Sequence, residues 1–428
     1  MNSALTILKE RGFLSQCTNT EGLSEVMDSK PITFYVGCDP TAASLHIGHM
    51  VPFFAFRHLM TAGHKGIALI GGGTARIGDP SGKTETRKIL TYETLDANAL
   101  FISAQISRFL GAGEKPKGDA GAETAGQKAG SLIFVNNKEW LAELNYIDFL
   151  REIGSRFSVN RMLSFETYKL RLEAGLTFLE FNYQILQSYD FLELYRRFGC
   201  VLQIGGDDQW GNIVAGADLI RRVEGVEAFG LTFPLVTTSD GKKMGKTEKG
   251  ALFLDTTITS PYDFFQYWRN VQDADLRRFL LMFTFLPVEE CEGLCAPGKD
   301  PNDAKERLAW EITALIHGKD EANKALAGAK AAFGGGGDKS AIPLAALSRA
   351  KFDAGYNITD LFTDAGLAAT KSEARRLVEQ GGAFAGRTAD TLVPFDDVKA
   401  LIGADVLDGA GELVLRAGKK RYCRVEAK

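Results

Sequence analysis

The sequence predicts an α/β fold for residues 1–255: an open parallel sheet, doubly wound by helices on both faces. Strand-like and helix-like segments alternate along this stretch. The strands are short apolar runs that stop at glycine turns. The motifs that carry chemistry fall where strands end, and ligands of such sheets sit at the carboxyl ends of strands.

Thr33-Phe34-Tyr35-Val36 reads as a strand that gives way to a helix opening near Gly48. Pro52 is expected in the first turn of that helix, where its missing N–H costs little. Gly66-Ile67-Ala68-Leu69-Ile70 reads as a buried strand before the Gly71-Gly72-Gly73 turn. Residues 111–130, rich in Gly, Ala and Lys, read as a flexible surface insertion. They open a connective stretch over 111–198 that is helical from about 138. Cys200-Val201-Leu202-Gln203-Ile204 is another strand, ending at Gly205-Gly206.

From Ser260 the pattern is helical only. Ser260-Pro261 supplies a cap and a first-turn proline. Leu308, Ile312, Leu315 and Ile316 form one apolar stripe, closed by Gly318. Residues 256–333 are therefore expected to form an all-helical domain, and 334–355, opening on Gly334-Gly335-Gly336-Gly337, a linker. Residues 356–428 read as a small α+β module. There Thr370 caps a basic helix carrying Lys371, Arg375 and Arg376, which Gly381-Gly382 stops. Segments 412–416 and 421–425 form a hairpin whose turn holds Lys419 and Lys420, with Arg421 just after.

Two motifs, far apart in the chain, suit phosphate chemistry. His46-Ile47-Gly48-His49 lies at a strand-to-helix junction, where unpaired N–H groups and a partial positive charge favour a triphosphate. Gly48 is expected to clear the way for the ligand, and His46 and His49 to add side-chain donors. Lys242, Lys243 and Lys246 lie on a glycine-hinged loop and can swing onto a leaving pyrophosphate. The bland alternatives are ordinary histidines and a solvated charge run. The two motifs occurring together favour the phosphate reading.

The pair resembles the HIGH and KMSKS signatures of class I aminoacyl-tRNA synthetases. Phe34-Tyr35-Val36-Gly37-Cys38-Asp39-Pro40-Thr41, Ile77-Gly78-Asp79-Pro80-Ser81-Gly82-Lys83, Tyr183-Gln184-Ile185-Leu186-Gln187-Ser188-Tyr189-Asp190 and Leu202-Gln203-Ile204-Gly205-Gly206-Asp207-Asp208-Gln209-Trp210-Gly211-Asn212 narrow the resemblance. It is to the bacterial tyrosyl-tRNA synthetases, over nearly the whole chain. The resemblance implies a Rossmann-like catalytic domain with a dimer contact in its connective stretch. A helical anticodon-region domain and an S4-like RNA-binding module are implied to follow it. Substrates would be L-tyrosine, ATP with Mg2+ and tRNA(Tyr), handled by a homodimer.

Residue by residue, the resemblance places Tyr35 and Asp190 on the phenolic hydroxyl of tyrosine, with Gly37 in the same pocket. Asp79, Tyr183 and Gln187 would hold its α-amino group, and Gln209 would orient it. Asp39, Thr41, His46, Gly48, His49, Gly206, Asp208, Lys243 and Lys246 would bind ATP, Asp208 at its ribose. His46, His49, Lys83, Arg87, Lys243, Lys246 and Thr247 would act in catalysis. Lys371, Arg375, Arg376, Lys419, Lys420 and Arg421 would meet tRNA. The phenol assignment is physically coherent: a phenol donates and accepts at once, so a carboxylate and a hydroxyl together satisfy it. Asp207 stands where the family often has a small polar residue, and Ala385-Gly386-Arg387 where the module usually has Asn-Gly. A tryptophan enzyme of the same class is the alternative that Tyr35 with Asp190 disfavours; an RNA-binding protein that has lost catalysis is disfavoured by the intact phosphate motifs.

Bulk properties agree with an enzyme of about two or three domains in 428 residues. A net charge of −4 argues against a uniformly basic nucleic-acid coat. No apolar run approaches membrane-spanning length and no signal segment opens the chain, so a cytoplasmic location without membrane attachment is expected. The six scattered cysteines are expected as free thiols. Cys291 and Cys295 lie a turn apart but lack nearby histidines, so no protein-ligated metal is expected.

Overall fold

A computed structural model of the chain describes residues 1–81, 90–111, 130–241, 244–247, 250–333, 342–388, 391–418 and 421–428. Lys83, Arg87, Lys242, Lys243, Lys419, Lys420, most of the 111–130 insertion and the glycine run at 334–337 lie outside these residues. So do the side chains of Lys246 and Thr247, whose backbone alone is described.

Six strands make the main sheet: β1 (Gln16–Cys17), β2 (Thr33–Cys38), β3 (Lys65–Ile70), β4 (Leu132–Asn136), β5 (Cys200–Gly206) and β6 (Phe229–Phe233). Their order is β1-β6-β5-β2-β3-β4. All pairs are parallel except β1, an antiparallel edge on β6. Among the parallel strands the sequence progresses outward from β2 in both directions, β3-β4 one way and β5-β6 the other, so the switch point lies between β2 and β5. A crevice opens there, outside the strand ends.

Side-chain alternation along β2 shows why both faces are covered. Phe34 points to the Ile47–Thr61 helix, its ring 4.6 Å from that of Phe56. Tyr35 points the other way, 5.2 Å from Phe191 on the Tyr183–Phe198 helix. Gly66 on β3 lets the first helix approach, since a Cβ there would lie 2.3 Å from Phe56. The second face buries Ile67, Leu69, Trp140, Phe191, Leu192 and Leu219 in one cluster.

Pro52 sits inside the Ile47–Thr61 helix, not in its first turn. Its missing N–H leaves the Gly48 carbonyl without its usual partner four residues on. The expectation failed because even a helix opening at Gly48 places Pro52 at its fifth position, past the first turn.

The chain forms two compact units, Met1–Ile258 with Gln272–Pro301 and Thr259–Val271 with Asn302–Lys428. The helical stretch expected as a single domain over 256–333 is thus divided. Arg11 supplies part of the reason. Its guanidinium donates to the carbonyls of Leu281 (2.9 Å), Thr284 (3.0 Å) and Leu286, sealing the end of the Asp273–Phe283 helix onto the catalytic unit. Phe54 adds ring contacts to Phe283 and Phe285 at 5.4 and 5.5 Å.

In the second unit Ser260 caps the Pro261–Arg269 helix, accepting from the Asp263 N–H. Leu308, Ile312 and Ile316 are buried along the Pro301–His317 helix, Leu315 is half-buried, and Gly318 follows at φ 95°. The terminal module is a five-stranded sheet in the order Val393–Phe395, Ala383–Gly386, Glu412–Ala417, Arg421–Ala427, Leu344–Leu347. Helices Ile358–Asp364 and Lys371–Glu379 share its core, which includes Leu361, Phe362, Val378, Leu413, Leu415 and Val425. Leu344–Leu347, within the stretch read as linker, instead pairs in parallel with Arg421–Ala427, and Arg349–Asp353 is helical. A strand that enters by parallel pairing with a segment late in the chain carries no hairpin signal in its own sequence.

Candidate active site

A cleft of about 690 Å³ opens over the switch point. Tyr35, Gly37, Asp39, Thr41, His46, Gly48, His49, Asp79, Tyr183, Gln187, Asp190, Gly206, Asp208 and Gln209 all line it. Residues drawn from widely separated motifs therefore share one concave surface.

The floor is the most constrained part. Asp190 is 2% exposed. Its carboxylate accepts from Asn137 Nδ2 and Trp140 Nε1, both at 2.8 Å. Burial pushes its pKa up to about 8 against the pull of those two donors, with Asp39 and Glu193 adding to the rise. Tyr35 is 1% exposed, and its hydroxyl has no hydrogen-bond partner among the described residues. Burial, then Asp190, hold that hydroxyl in its protonated form well above the usual tyrosine range. A Cβ at Gly37 would meet no protein atom within 4 Å, so the glycine keeps the cleft open above the floor.

Further along, Asp39 is fixed by two hydroxyls, Thr74 Oγ1 at 2.7 Å and Tyr183 at 2.9 Å. Gly71 makes this possible, since a Cβ there would lie 1.9 Å from Asp39 Oδ1. Asp79 accepts from Gln209 Nε2 and the Ser81 N–H, at 2.8 and 2.9 Å. Asn212 ties Gln187 and Gln209 together, at 3.0 and 3.1 Å.

At the rim, the two far-separated motifs are stitched to each other. The Ile47 N–H donates to the Leu252 carbonyl at 3.0 Å, and the Leu252 N–H to the Gly245 carbonyl at 2.7 Å. Gly245, at φ 76°, seats on the helix start, where a Cβ would lie 2.6 Å from Ile47. Lys246–Thr247 pairs with Gly250–Ala251 in a short ribbon beyond it. The imidazoles of His46 and His49 stack with centroids 3.6 Å apart. Gly48 proves to make room for the His46 ring, 3.0 Å from where a Cβ would stand, in addition to any ligand.

Residues 27–334 match the family model described as tRNA synthetases class I (W and Y). A tyrosine–tRNA ligase of Treponema denticola is 61% identical over 425 residues, 99% of each chain. One from Treponema pallidum is 57% identical, covering 99% of this chain and 98% of its own. The chain belongs to the tyrosine–tRNA ligase family. Among solved structures, the C-terminally truncated mitochondrial tyrosyl-tRNA synthetase of Aspergillus nidulans superposes with a TM-score of 0.67 at 30% identity, over 76% of this chain and 93% of that one.

In this member of the tyrosine–tRNA ligase family, several cleft residues lie outside the sequence-based set. Asn137 and Trp140 brace Asp190, and Thr74 braces Asp39. Gln203 is a buried residue of the cleft lining whose Oε1 has no hydrogen-bond partner among the described residues. The signal for Asn137 was available, since it directly follows β4 at its carboxyl end. Asp207, whose role the sequence left open, lies outside the cleft lining. It accepts from Ser15 Oγ at 2.8 Å and Thr232 Oγ1 at 2.5 Å, tying the end of β5 to its neighbours.

On the terminal module, Arg375 and Arg376 are exposed. Lys371 pairs with Asp360 at 2.7 Å and Arg421 with Glu373 at 3.7 Å. All six cysteines are free. Among the described residues no cluster of three His, Cys, Asp or Glu side chains is placed to hold a metal, and no helix is long and apolar enough to cross a membrane.

Proposed function

We propose that the protein activates L-tyrosine with MgATP, giving tyrosyl-adenylate and pyrophosphate, and then transfers the tyrosyl group to the 3'-terminal ribose of tRNA(Tyr). The carrying observation is the floor of the cleft, where a braced Asp190 accompanies a Tyr35 hydroxyl that has no hydrogen-bond partner among the described residues. A substrate phenol would complete both groups. Phenylalanine would leave them unmatched, and a buried unmatched polar group costs about 1–3 kcal/mol.

Asp79, Tyr183, Gln187 and Gln209 then orient the amino and carboxylate end. Asp39, Thr41, His46, Gly48, His49, Gly206 and Asp208 form the ATP side. The substrate carboxylate is already ionised, so it attacks the α-phosphorus in line without a general base. Catalysis is placement plus stabilisation of charge on the departing pyrophosphate by His46, His49, Lys83, Arg87, Lys243, Lys246 and Thr247. Magnesium enters with the nucleotide.

Arg375, Arg376 and Arg421, with Lys371, Lys419 and Lys420, are assigned to tRNA phosphates. Exposed apolar side chains in the connective stretch, Tyr146, Ile147, Val159 and Phe178, support a homodimer contact. A cytoplasmic location follows from the reaction. The layout proposed is a catalytic domain over 1–258 together with 272–301, further helices to 333 and a terminal RNA-binding module that includes the Leu344–Leu347 strand.

ATP–pyrophosphate exchange across the amino acids, followed by tRNA charging, tests the reading. Tyrosine alone is expected to support exchange; exchange with tryptophan and not tyrosine would overturn it. Replacing Arg375 and Arg376 by Ala should leave exchange unchanged and raise KM for tRNA about tenfold. The salt dependence of tRNA binding should become shallower by roughly one unit of slope per lost phosphate contact.

A further inference from the structure

The Asp273–Phe283 helix comes after the lysine loop in the chain but belongs to the catalytic unit. Asp275 in its first turn is 2% exposed. One carboxylate oxygen accepts from the Ser239 N–H at 2.8 Å and from the Ser239 hydroxyl at 3.0 Å. The other accepts from Arg278 at 2.7 Å, and the Arg278 guanidinium also donates to the Thr237 carbonyl. Thr237 and Ser239 are thus gripped through backbone and side chain together.

These two residues are the stem of the lysine loop. The Gly241 N–H donates to the Thr238 carbonyl at 2.8 Å, and the Met244 N–H returns to the Val236 carbonyl at 3.0 Å. Met244 is buried and Gly245 rests on Ile47. The stem therefore sets how the loop approaches the start of the Ile47–Thr61 helix. With Arg278 open to solvent the ion pair adds little to stability, whereas its directional bonds fix one geometry. Neither Asp275 nor Arg278 lines the cleft.

We propose that Asp275, with Arg278, is a positioning residue for adenylate formation. It holds the Thr237–Ser239 stem so that Met244 and Gly245 stay seated and the lysines that follow meet the leaving pyrophosphate. This rests on the pyrophosphate role proposed above for the loop.

The test uses Asp275→Asn in the full chain, which keeps the shape and removes the charge. Pre-steady-state adenylate formation and equilibrium tyrosine binding are measured well below the melting temperature. The expected result is an adenylate rate about 10- to 100-fold slower, the scale of a small misplacement, with tyrosine Kd within about twofold of wild type. In a Lys246→Ala background the Asp275→Asn effect should nearly vanish, because both act through one loop. Wild-type rates for Asp275→Asn beside a slowed Lys246→Ala would overturn this inference and leave the loop's role standing. An unaffected Lys246→Ala would instead remove the reading on which it rests. A defect shared equally by rate and tyrosine affinity, or undiminished in the Lys246→Ala background, would reduce Asp275 to a structural residue. Should Asp275→Asn fail to fold, Ser239→Ala removes one donor only and should show the same split at smaller size.

Discussion

The floor and the rim of the cleft are built on opposite plans. The floor is made of side chains: Asp190, braced by Asn137 and Trp140, and Tyr35, packed on Phe191. The rim is made of backbone: Ile47, Leu252 and Gly245 joined by main-chain hydrogen bonds, with glycine at the contact. Side-chain chemistry at a buried floor suits discrimination, because every unmatched group there is costly. A backbone-hinged rim suits a step in which charge moves, because its cations can follow the leaving group. Substitutions on the floor should therefore change which amino acid is used, and those on the rim how fast.

The largest effect is expected from Asp190→Ala. Losing a hydrogen bond to the substrate costs about 0.5–1.5 kcal/mol, and leaving the substrate hydroxyl buried without that partner adds about 1–3 kcal/mol. Together this is about 4 kcal/mol, near a thousandfold loss in kcat/KM for tyrosine, with selectivity against phenylalanine weakened. Wild-type kcat/KM in the variant would remove Asp190 from the phenol site.

The same carboxyl leaves a pH signature. Its folded pKa lies near 8 because it is buried, against 3.8 as the ordinary value. Between those values the folded state holds a proton that the unfolded state has released. The free enzyme should lose stability as pH rises from about 4 to about 8, and Asp190→Asn should flatten that slope. Chemical denaturation of both proteins across that range measures the difference.

On the rim, Lys246→Ala should slow adenylate formation about a hundredfold and leave tyrosine Kd near wild type. Quench-flow separates the two quantities. A defect confined to tyrosine binding would show that floor and rim are not functionally divided as their construction suggests.

How far the sequence reached follows the same division. β2, β3 and β5 were legible as apolar runs, and the cleft because its motifs sit at strand ends; β1, β4 and β6 went unread. The braces were not. Trp140 reaches Asp190 across fifty positions, a contact that no local pattern announces. The Arg11 contact with Leu281 spans 270 positions and reassigns a helix that local pattern grouped with its neighbours. Pro52 shows the limit of boundary signals, since it sits in a helix interior that its residue type argues against. Asp207, whose place in a motif left its role open, is marked by its partners Ser15 and Thr232 as a tie between strands.

Tyr35→Phe should have the smallest effect and discriminates most sharply between packing and recognition. In the free enzyme the hydroxyl is buried with no partner among the described residues, so it weakens the fold. Its removal should stabilise the free protein by about 1 kcal/mol, because an unpaired buried polar group is costly and the ring still packs on Phe191. With tyrosine bound, the same hydroxyl gains a partner, so the variant should bind tyrosine about tenfold more weakly, the value of one net hydrogen bond. Stability and affinity should therefore move in opposite directions. A purely structural tyrosine would lose stability and leave affinity unchanged. Thermal melts of the free enzyme and titrations with tyrosine decide between the two, and a lower melting temperature with unaltered tyrosine Kd would return Tyr35 to the core.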